Sequence, residues 1–388
     1  MTDTDRPTDR PTDITLLGAT GFTGRLIARY LDEHAPAATR IVLAGRNPAK
    51  LESVTESLKR EVGVARVDVT DPPSVRELAE STRVLITTVG PYIEHGEPVV
   101  AACAVAGTDY LDLTGEPEFL DLMYLKYHDT AAATGARLIH SCGFDSMPHD
   151  LGAQFTVEQL PEDVPLSVTG TVRVKGTFSG GTAASALTIL SRYRPGKLVH
   201  AERMRVEPTA PGRTARVVTA RFAKNADGDG WVLPMPTIDP EIVVQSARGL
   251  PRYGPDFSYS HRMAVPNPVA GAGIAFGAGA LFGIAHLRPA REALLKLRPS
   301  GSGPTEAQRE AAWFSVRFVG EGGGKQVLTE VSGGDPGYTE TSKMISEAAL
   351  CLVHDDLPAT AGQVTTAIAM GGTLRGRLER AGITFRIL

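Results

Sequence analysis

Seven consecutive residues, Gly18-Ala19-Thr20-Gly21-Phe22-Thr23-Gly24, constrain this chain more than any other feature. They stand between a short apolar run, ITLLG (14–18), and a helix-like stretch, TGRLIARYLDEHA. GxxGxxG at a strand-to-helix junction has a physical reading. Gly18 permits the tight turn, Gly21 leaves bare backbone where a pyrophosphate can approach, and Gly24 lets the helix lie close to the sheet. A helix N-terminus adds free N–H groups and a partial positive charge. Any sharp strand–helix turn can use glycine, so the surrounding pattern has to decide.

That pattern is a regular alternation over residues 14–145. Apolar runs recur at RIVLAG (40–45), ARVDV (65–69), RVLITTV (83–89), DYLDL (109–113) and ARLIHS (136–141). Most are rich in Val, Ile and Leu, as parallel strands covered on both faces should be. Helix-like stretches lie between them. Five crossovers joining six strands predict an α/β fold, a Rossmann domain with a doubly wound parallel sheet.

The character changes near Asp150. VPLSVTGTVRV (164–174), TARVVTARFA (214–223), EIVVQSA (241–247) and WFSVRFVGE (313–321) read as strands separated by Pro- and Gly-rich stretches. They predict an α+β domain with a mainly antiparallel sheet. Residues 339–388 turn helical again. The expected organisation is a disordered polar tail over 1–12, a nucleotide-binding domain over 13–148, a substrate and dimerisation domain over 149–338, and C-terminal helices over 339–388. Between Arg262 and Arg288 no residue is formally charged. Gly, Ala and two prolines make that stretch a poor membrane span. The readings it allows are a buried or domain-bridging helix, contact of 263–287 with a lipid-like substrate or membrane surface, and, least of the three, a true span.

A net charge of -4 argues against a nucleic-acid binder. Cys103, Cys142 and Cys351 show neither metal-ligand nor disulfide spacing, so no metal and a reducing cytoplasm are expected.

The second apolar run ends Leu43-Ala44-Gly45-Arg46. Sites that prefer NAD usually hold an acid there, for the ribose 2′-hydroxyl. Arg46, with Lys50 one helical turn on, instead suits a 2′-phosphate, and predicts NADP(H). The expected cofactor residues are Gly18, Thr20, Gly21, Phe22, Thr23 and Gly24 in the turn, Arg46 and Lys50, Asp68 and Val69 toward adenine, and Val89, Gly90 and Tyr92 after the fourth strand, since ligands sit beyond the carboxyl ends of such strands. A group that donates a proton or steadies an oxyanion should lie near the ends of strands four to six. The candidates are Tyr92 and His95, then Asp145 and His149. Cys142 reads as a small buried residue. Thr177-Phe178-Ser179-Gly180-Gly181-Thr182 is a second Gly-rich junction, fit to hold a carbonyl or phosphate or simply to cap a helix.

Taken together, GATGFTG (18–24), AGRNPAKL (44–51), TTVGPY (87–92), AGTDYLDLTGE (106–116), GFDSMPHDLG (143–152), FSGGT (178–182), GDPGYTETSKM (334–344) and LERAGITF (378–385) resemble the saccharopine dehydrogenase-like oxidoreductases. Within that family the likeness is to the actinobacterial trans-acting enoyl reductases. It implies an NADPH-dependent reductase with an inserted substrate domain and C-terminal helices that return to the Rossmann domain. Cofactor roles carry over onto Gly18, Gly21, Gly24, Arg46 and Gly90. The substrate it implies is a lipid-like or acyl-thioester chain, delivered by an acyl carrier protein or polyketide synthase. An amino-acid dehydrogenase, with Arg173, Lys175, Arg192, Arg194 and Lys197 available for carboxylates, and a non-catalytic NADP-binding module are the alternatives.

Overall fold

The structure is a computed structural model and describes residues 10–176, 187, 189–208, 210–225, 230–287 and 303–388. The chain forms two compact units. The first comprises Met1–Phe144, Val199–Val206 and Tyr338–Ala381, the second Asp145–Leu198, Glu207–Gly337 and Gly382–Leu388.

Strands β1 (Thr12–Leu17), β2 (Ile41–Gly45), β3 (Gly63–Arg66), β4 (Thr82–Thr87), β5 (Asp109–Leu111) and β6 (Arg137–Ile139) build the sheet of the first unit. β1 is buried at all six positions, as a central strand covered on both faces must be. Ile14 lies opposite Ile41 on one side and Val84 on the other, all parallel. The strand order reverses between β1 and β4, which opens a crevice at their carboxyl ends. Helices α1 (Phe22–His34), α2 (Pro48–Thr55), α3 (Pro72–Ser81), α4 (Tyr92–His95), α5 (Glu97–Ala106) and α6 (Pro117–Thr134) make the connections.

Two features of this unit depart from expectation. Gly362–Gln363 adds a seventh parallel strand beside β6. Ordered chain also begins before residue 13. Arg10 is buried, and its guanidinium donates to the carbonyls of Ala79, Thr82 and Ala106 and to Thr108 Oγ1. A polar tail hides such an anchor because its partners lie far along the chain. Helix Thr339–His354 packs on α1 and β4, and its Glu347 ties Tyr30 of α1 (2.8 Å) to Arg377 (3.1 Å).

The second unit holds a mixed eight-stranded sheet. Its strands are β7 (Leu166–Lys175), β8 (Thr214–Val217), β9 (Ala223–Lys224), β10 (Trp231–Pro234), β11 (Asp256–Val265), β12 (Trp313–Gly322), β13 (Lys325–Gly333) and the C-terminal Thr384–Ile387. Most pairs are antiparallel, but β7 and β8 each run parallel to β11. Helix α7 (Met147–Val157) packs on β12 and β13, where Gly152 leaves room for the Phe318 ring. Glu330 of β13 binds Arg317 (2.8 Å) and Arg386 (3.0 Å), so the last residues join this sheet instead of ending as helix.

The strand expected at 241–247 is a helix, Asp239–Gly249, with Pro240 in its first turn. Residues 242–247 are all buried there. A helix covered on every face shows no 3.6-residue pattern, and a run of Ile and Val then mimics a strand. The 177–182 junction lies outside the described residues.

Candidate active site

In the first unit the glycine turn is shaped by what would collide with it. Gly18 has φ +89°, in the left-handed region that favours glycine. A Cβ at Gly24 would stand 2.3 Å from the Gly18 carbonyl oxygen, so only glycine brings α1 this close to the turn. Gly21 caps α1 with no side-chain hydrogen bond, and the first turn carries no acid. The helix end therefore keeps its donors and its positive field for an anion. The β4 loop is stitched beside it, with the Thr88 amide donating to Leu17 O (3.0 Å).

Arg46 stands exposed just beyond β2 and before Asn47, which caps α2 by accepting from the Lys50 amide (3.1 Å). Arg46 thus precedes the helix, and Lys50 does not follow it by a helical turn as expected. Asp68 lies past the end of β3. Its carboxylate accepts from the Thr70 amide and hydroxyl (3.0 and 2.8 Å). These bonds first, then the charges of Arg46 and Arg66, hold it below the usual range. Val69 is buried, and Val89 and Gly90 lie on the loop after β4. Thr20, Phe22 and Thr23 complete the turn, where the Phe22 ring meets Tyr338 edge-on (centroids 4.8 Å).

Tyr92 has a different part from the one expected. Its buried hydroxyl donates to Thr87 O (3.1 Å) and accepts from the Leu113 amide (3.2 Å). The amides of Tyr92 and Ile93 donate to the Glu116 carboxylate (3.1 and 2.9 Å). These bonds fix the loop and leave the phenol committed to backbone. His95 closes the same short helix.

Beneath that loop, buried Asp112 accepts from Tyr110 Oη (2.9 Å) and the Ser141 amide (2.8 Å), and pairs with His140 Nδ1 (2.7 Å). Thr341 accepts from the Phe144 amide (3.0 Å), and a Cβ at Gly143 would collide with it. None of Asp112, Glu116, His140 or Thr341 had been singled out as a candidate. DYLDLTGE places two of them together, but no spacing rule marks them.

The second unit assembles another constellation from distant segments. His149 on α7, Asp239 at the start of its helix and His261 on β11 are all buried, with three ligand-capable atoms within 4.8 Å of one another. His149 Nδ1 is 3.0 Å from Asp239 Oδ1, and His261 Nε2 is 3.6 Å from Asp239 Oδ2. The imidazoles meet edge-to-face at 5.0 Å. Tyr259 Oη lies 3.1 Å from His261 Nδ1, in space kept free by Gly170, and Thr237 donates to Asp239. Cysteine spacing could not reveal such a set. Because Asp239 is the shared partner of two rings and a hydroxyl, the arrangement is suited to holding and moving protons.

Burial alone would raise Asp239. The charge and hydrogen bond of His149, with His261 and Thr237, overcome that and hold it below the usual carboxylate range. Burial pushes His261 down to about 4, so its ring is neutral at pH 7. Asp145 has the opposite fate. It keeps solvent access, yet the protein crowding its carboxyl and then the charge of Asp239 push it up to about 6, against the pull of His149. The sequence candidates Asp145 and His149 therefore meet here, while Tyr92 belongs to the first unit. Cys142 is buried, as expected.

Residues 14–139 match the family model described as the saccharopine dehydrogenase NADP binding domain. The chain is 36% identical to a Mycobacterium tuberculosis protein named as a candidate trans-acting enoyl reductase, over 98% of each chain. It is 30% identical to a trans-acting enoyl reductase of Mycobacterium ulcerans over 96% of this chain and 97% of that one. It is also 29% identical to a saccharopine dehydrogenase-like oxidoreductase of Bos taurus, over 98% of each. Among solved structures, saccharopine dehydrogenase (L-Glu forming) from Saccharomyces cerevisiae matches with a TM-score of 0.52 at 11% identity, covering 97% of this chain and all of that one.

Proposed function

Because this chain belongs to the saccharopine dehydrogenase-like oxidoreductases and binds NADP(H), we propose that it reduces the carbon–carbon double bond of an enoyl thioester on a lipid-like chain. The reduced nicotinamide supplies hydride when bound. The chain's own residues do the rest. The turn Gly18–Gly24 and the N-terminus of α1 hold the pyrophosphate, and Arg46 holds the 2′-phosphate. Tyr92, Glu116 and Asp112 fix the loops around them. Within the second unit, Asp145, raised toward neutrality beside His149 and Asp239, is the group fit to hold a proton. Delivery of the thioester by an acyl carrier protein or polyketide synthase is part of this reading, since the relatives are named for acting in trans.

The character of the acid cluster in the second unit carries this reading over an amino-acid substrate. It contains Asp145, Asp239 and, bonded to Ser246, Asp150. Among the described residues no arginine or lysine of the second unit is buried. A saccharopine-type substrate bears several carboxylates and needs converging cations. Acids without cations repel it and tolerate a neutral thioester.

The test is NADPH oxidation by the purified protein, with C8 to C16 enoyl thioesters set against lysine plus 2-oxoglutarate. Turnover of the thioesters is expected. Turnover of the amine pair alone would replace this reading with the saccharopine one, and turnover of neither would leave an NADP-binding module.

A further inference from the structure

We infer that helix Pro268–His286 is a lipid anchor, lying within one leaflet of a phospholipid surface. The helix has 19 residues, PVAGAGIAFGAGALFGIAH, without a formal charge. It begins cleanly, with Asn267 Oδ1 accepting from the Ala270 amide (2.8 Å), and then leaves the protein. From Ala272 to Gly283 every residue is exposed except half-buried Gly277. Among the described residues, more than three turns therefore stand exposed on nearly every side. Val269 and Phe276 are 80% and 81% exposed, and Ile274, Leu281 and Phe282 are exposed as well. At Gly273, Gly277, Gly279 and Gly283 an added Cβ would meet nothing within 4 Å.

The distribution of apolar surface identifies the occupant. A partner protein or a second copy covers one stripe of a helix and leaves a polar face in water. This helix has no polar face, so its cover must surround it, as hydrocarbon does. The glycines agree. Five of them in 19 residues, each costing roughly 1 kcal/mol against alanine in a water-exposed helix, make a poor helix in water. In lipid the backbone has to satisfy its own hydrogen bonds, and the helix is enforced.

Topology sets the placement. At 1.5 Å per residue the helix is about 28 Å long, nearly the thickness of a hydrocarbon core. Yet β11 before it and β12 after it are the two neighbours of β7 in one sheet. A crossing would need a second crossing to bring the chain back. The sequence available for that return carries Arg288, Arg291, Glu292, Lys296 and Arg298, which hydrocarbon rejects. The helix therefore enters from one side and stays there. This rests on the apolar surface alone and holds whether or not the enoyl reductase reading does.

The experiment is flotation of the purified full chain, with NADPH, on vesicles of phosphatidylcholine and phosphatidylglycerol. The wild type should float. Ile274→Glu, Phe276→Glu and Leu281→Glu should each lower the vesicle-bound fraction about tenfold. Leu198→Glu, at an exposed apolar position elsewhere, should not. A Phe276→Trp variant should shift its emission to the blue on vesicles and be quenched by brominated lipids. A wild type that stays at the bottom, or emission from the Phe276→Trp variant that is blind to vesicles, would overturn the proposal. So would a lipid-independent dimer that Phe276→Glu dissociates. Quenching strongest from bromines at the acyl-chain ends would overturn the single-leaflet placement. NADPH binding should be equal in every variant, and a chain that floats but reduces no thioester keeps this inference and loses the other.

Discussion

The glycine turn of the first unit and the acid–imidazole cluster of the second are built by opposite means. The turn works by what is missing. Gly18 needs a left-handed backbone and Gly24 needs the absence of a Cβ that would stand 2.3 Å from a carbonyl oxygen. Its ligand is met by main chain, and the parts are contiguous. The cluster works by what is present. Its carboxylate and two imidazoles come from three elements, and their protonation is set by mutual burial and charge. A site made of backbone should fail abruptly when filled. A site made of coupled side chains should shift its pH response when edited.

Gly24→Val gives the sharpest break. The new side chain cannot fit without moving α1 off the turn, so NADPH binding should fall below detection in a fluorescence titration. Near-normal affinity would mean that the turn is not the cofactor corner. Arg46→Ala comes next. Charge-assisted hydrogen bonds are worth roughly 1.5–3 kcal/mol, so NADPH affinity should weaken about 10- to 100-fold. NADH should be nearly unaffected. Equal loss for both cofactors would remove Arg46 from the 2′-phosphate.

The same contrast explains what the sequence discloses. The turn, the six alternating strands and Arg46 are local features, and periodicity and spacing report them. The His149–Asp239–His261 set depends on which elements a mixed sheet brings together. Its central residue heads a helix, 239–249, in which the burial of every residue from 242 to 247 erases the helical pattern. Arg10 was hidden likewise, because its carbonyl partners become neighbours only once β4 and β5 pair. Tyr92 was legible as a position and not as a role. A phenol after β4 is easy to notice, but the backbone groups that claim it are visible only in the fold.

Asp145→Asn tests the cluster with the sign stated in advance. Raised toward about 6, Asp145 is a neutral acid below that pH and a carboxylate above it. If it holds the catalytic proton, kcat/KM falls as pH rises through about 6. The Asn variant loses that limb together with much of its rate. The stability effect runs in parallel. A raised carboxyl favours the folded chain below its ordinary pKa near 3.8, and that contribution disappears as pH rises through about 6. Asp145→Asn should therefore raise the melting temperature at pH 8 and leave it almost unchanged at pH 4. A pH limb that survives in the variant would move the proton donor elsewhere.

Tyr92→Phe is the smallest expected effect and separates the two regions most cleanly. The phenol joins Thr87 O to the Leu113 amide in a buried loop of the first unit. Its removal leaves both groups short of a partner, at a cost of about 1–3 kcal/mol. The melting temperature should drop by a few degrees at every pH, since no titrating group is touched. A general acid contributes roughly 100- to 10,000-fold to the rate. The variant should keep kcat well inside that range, and its KM for NADPH should rise as the loop beside the turn loosens. A collapse of kcat with KM unchanged would place the proton in the first unit after all, on a hydroxyl that the resting structure holds in its backbone bonds.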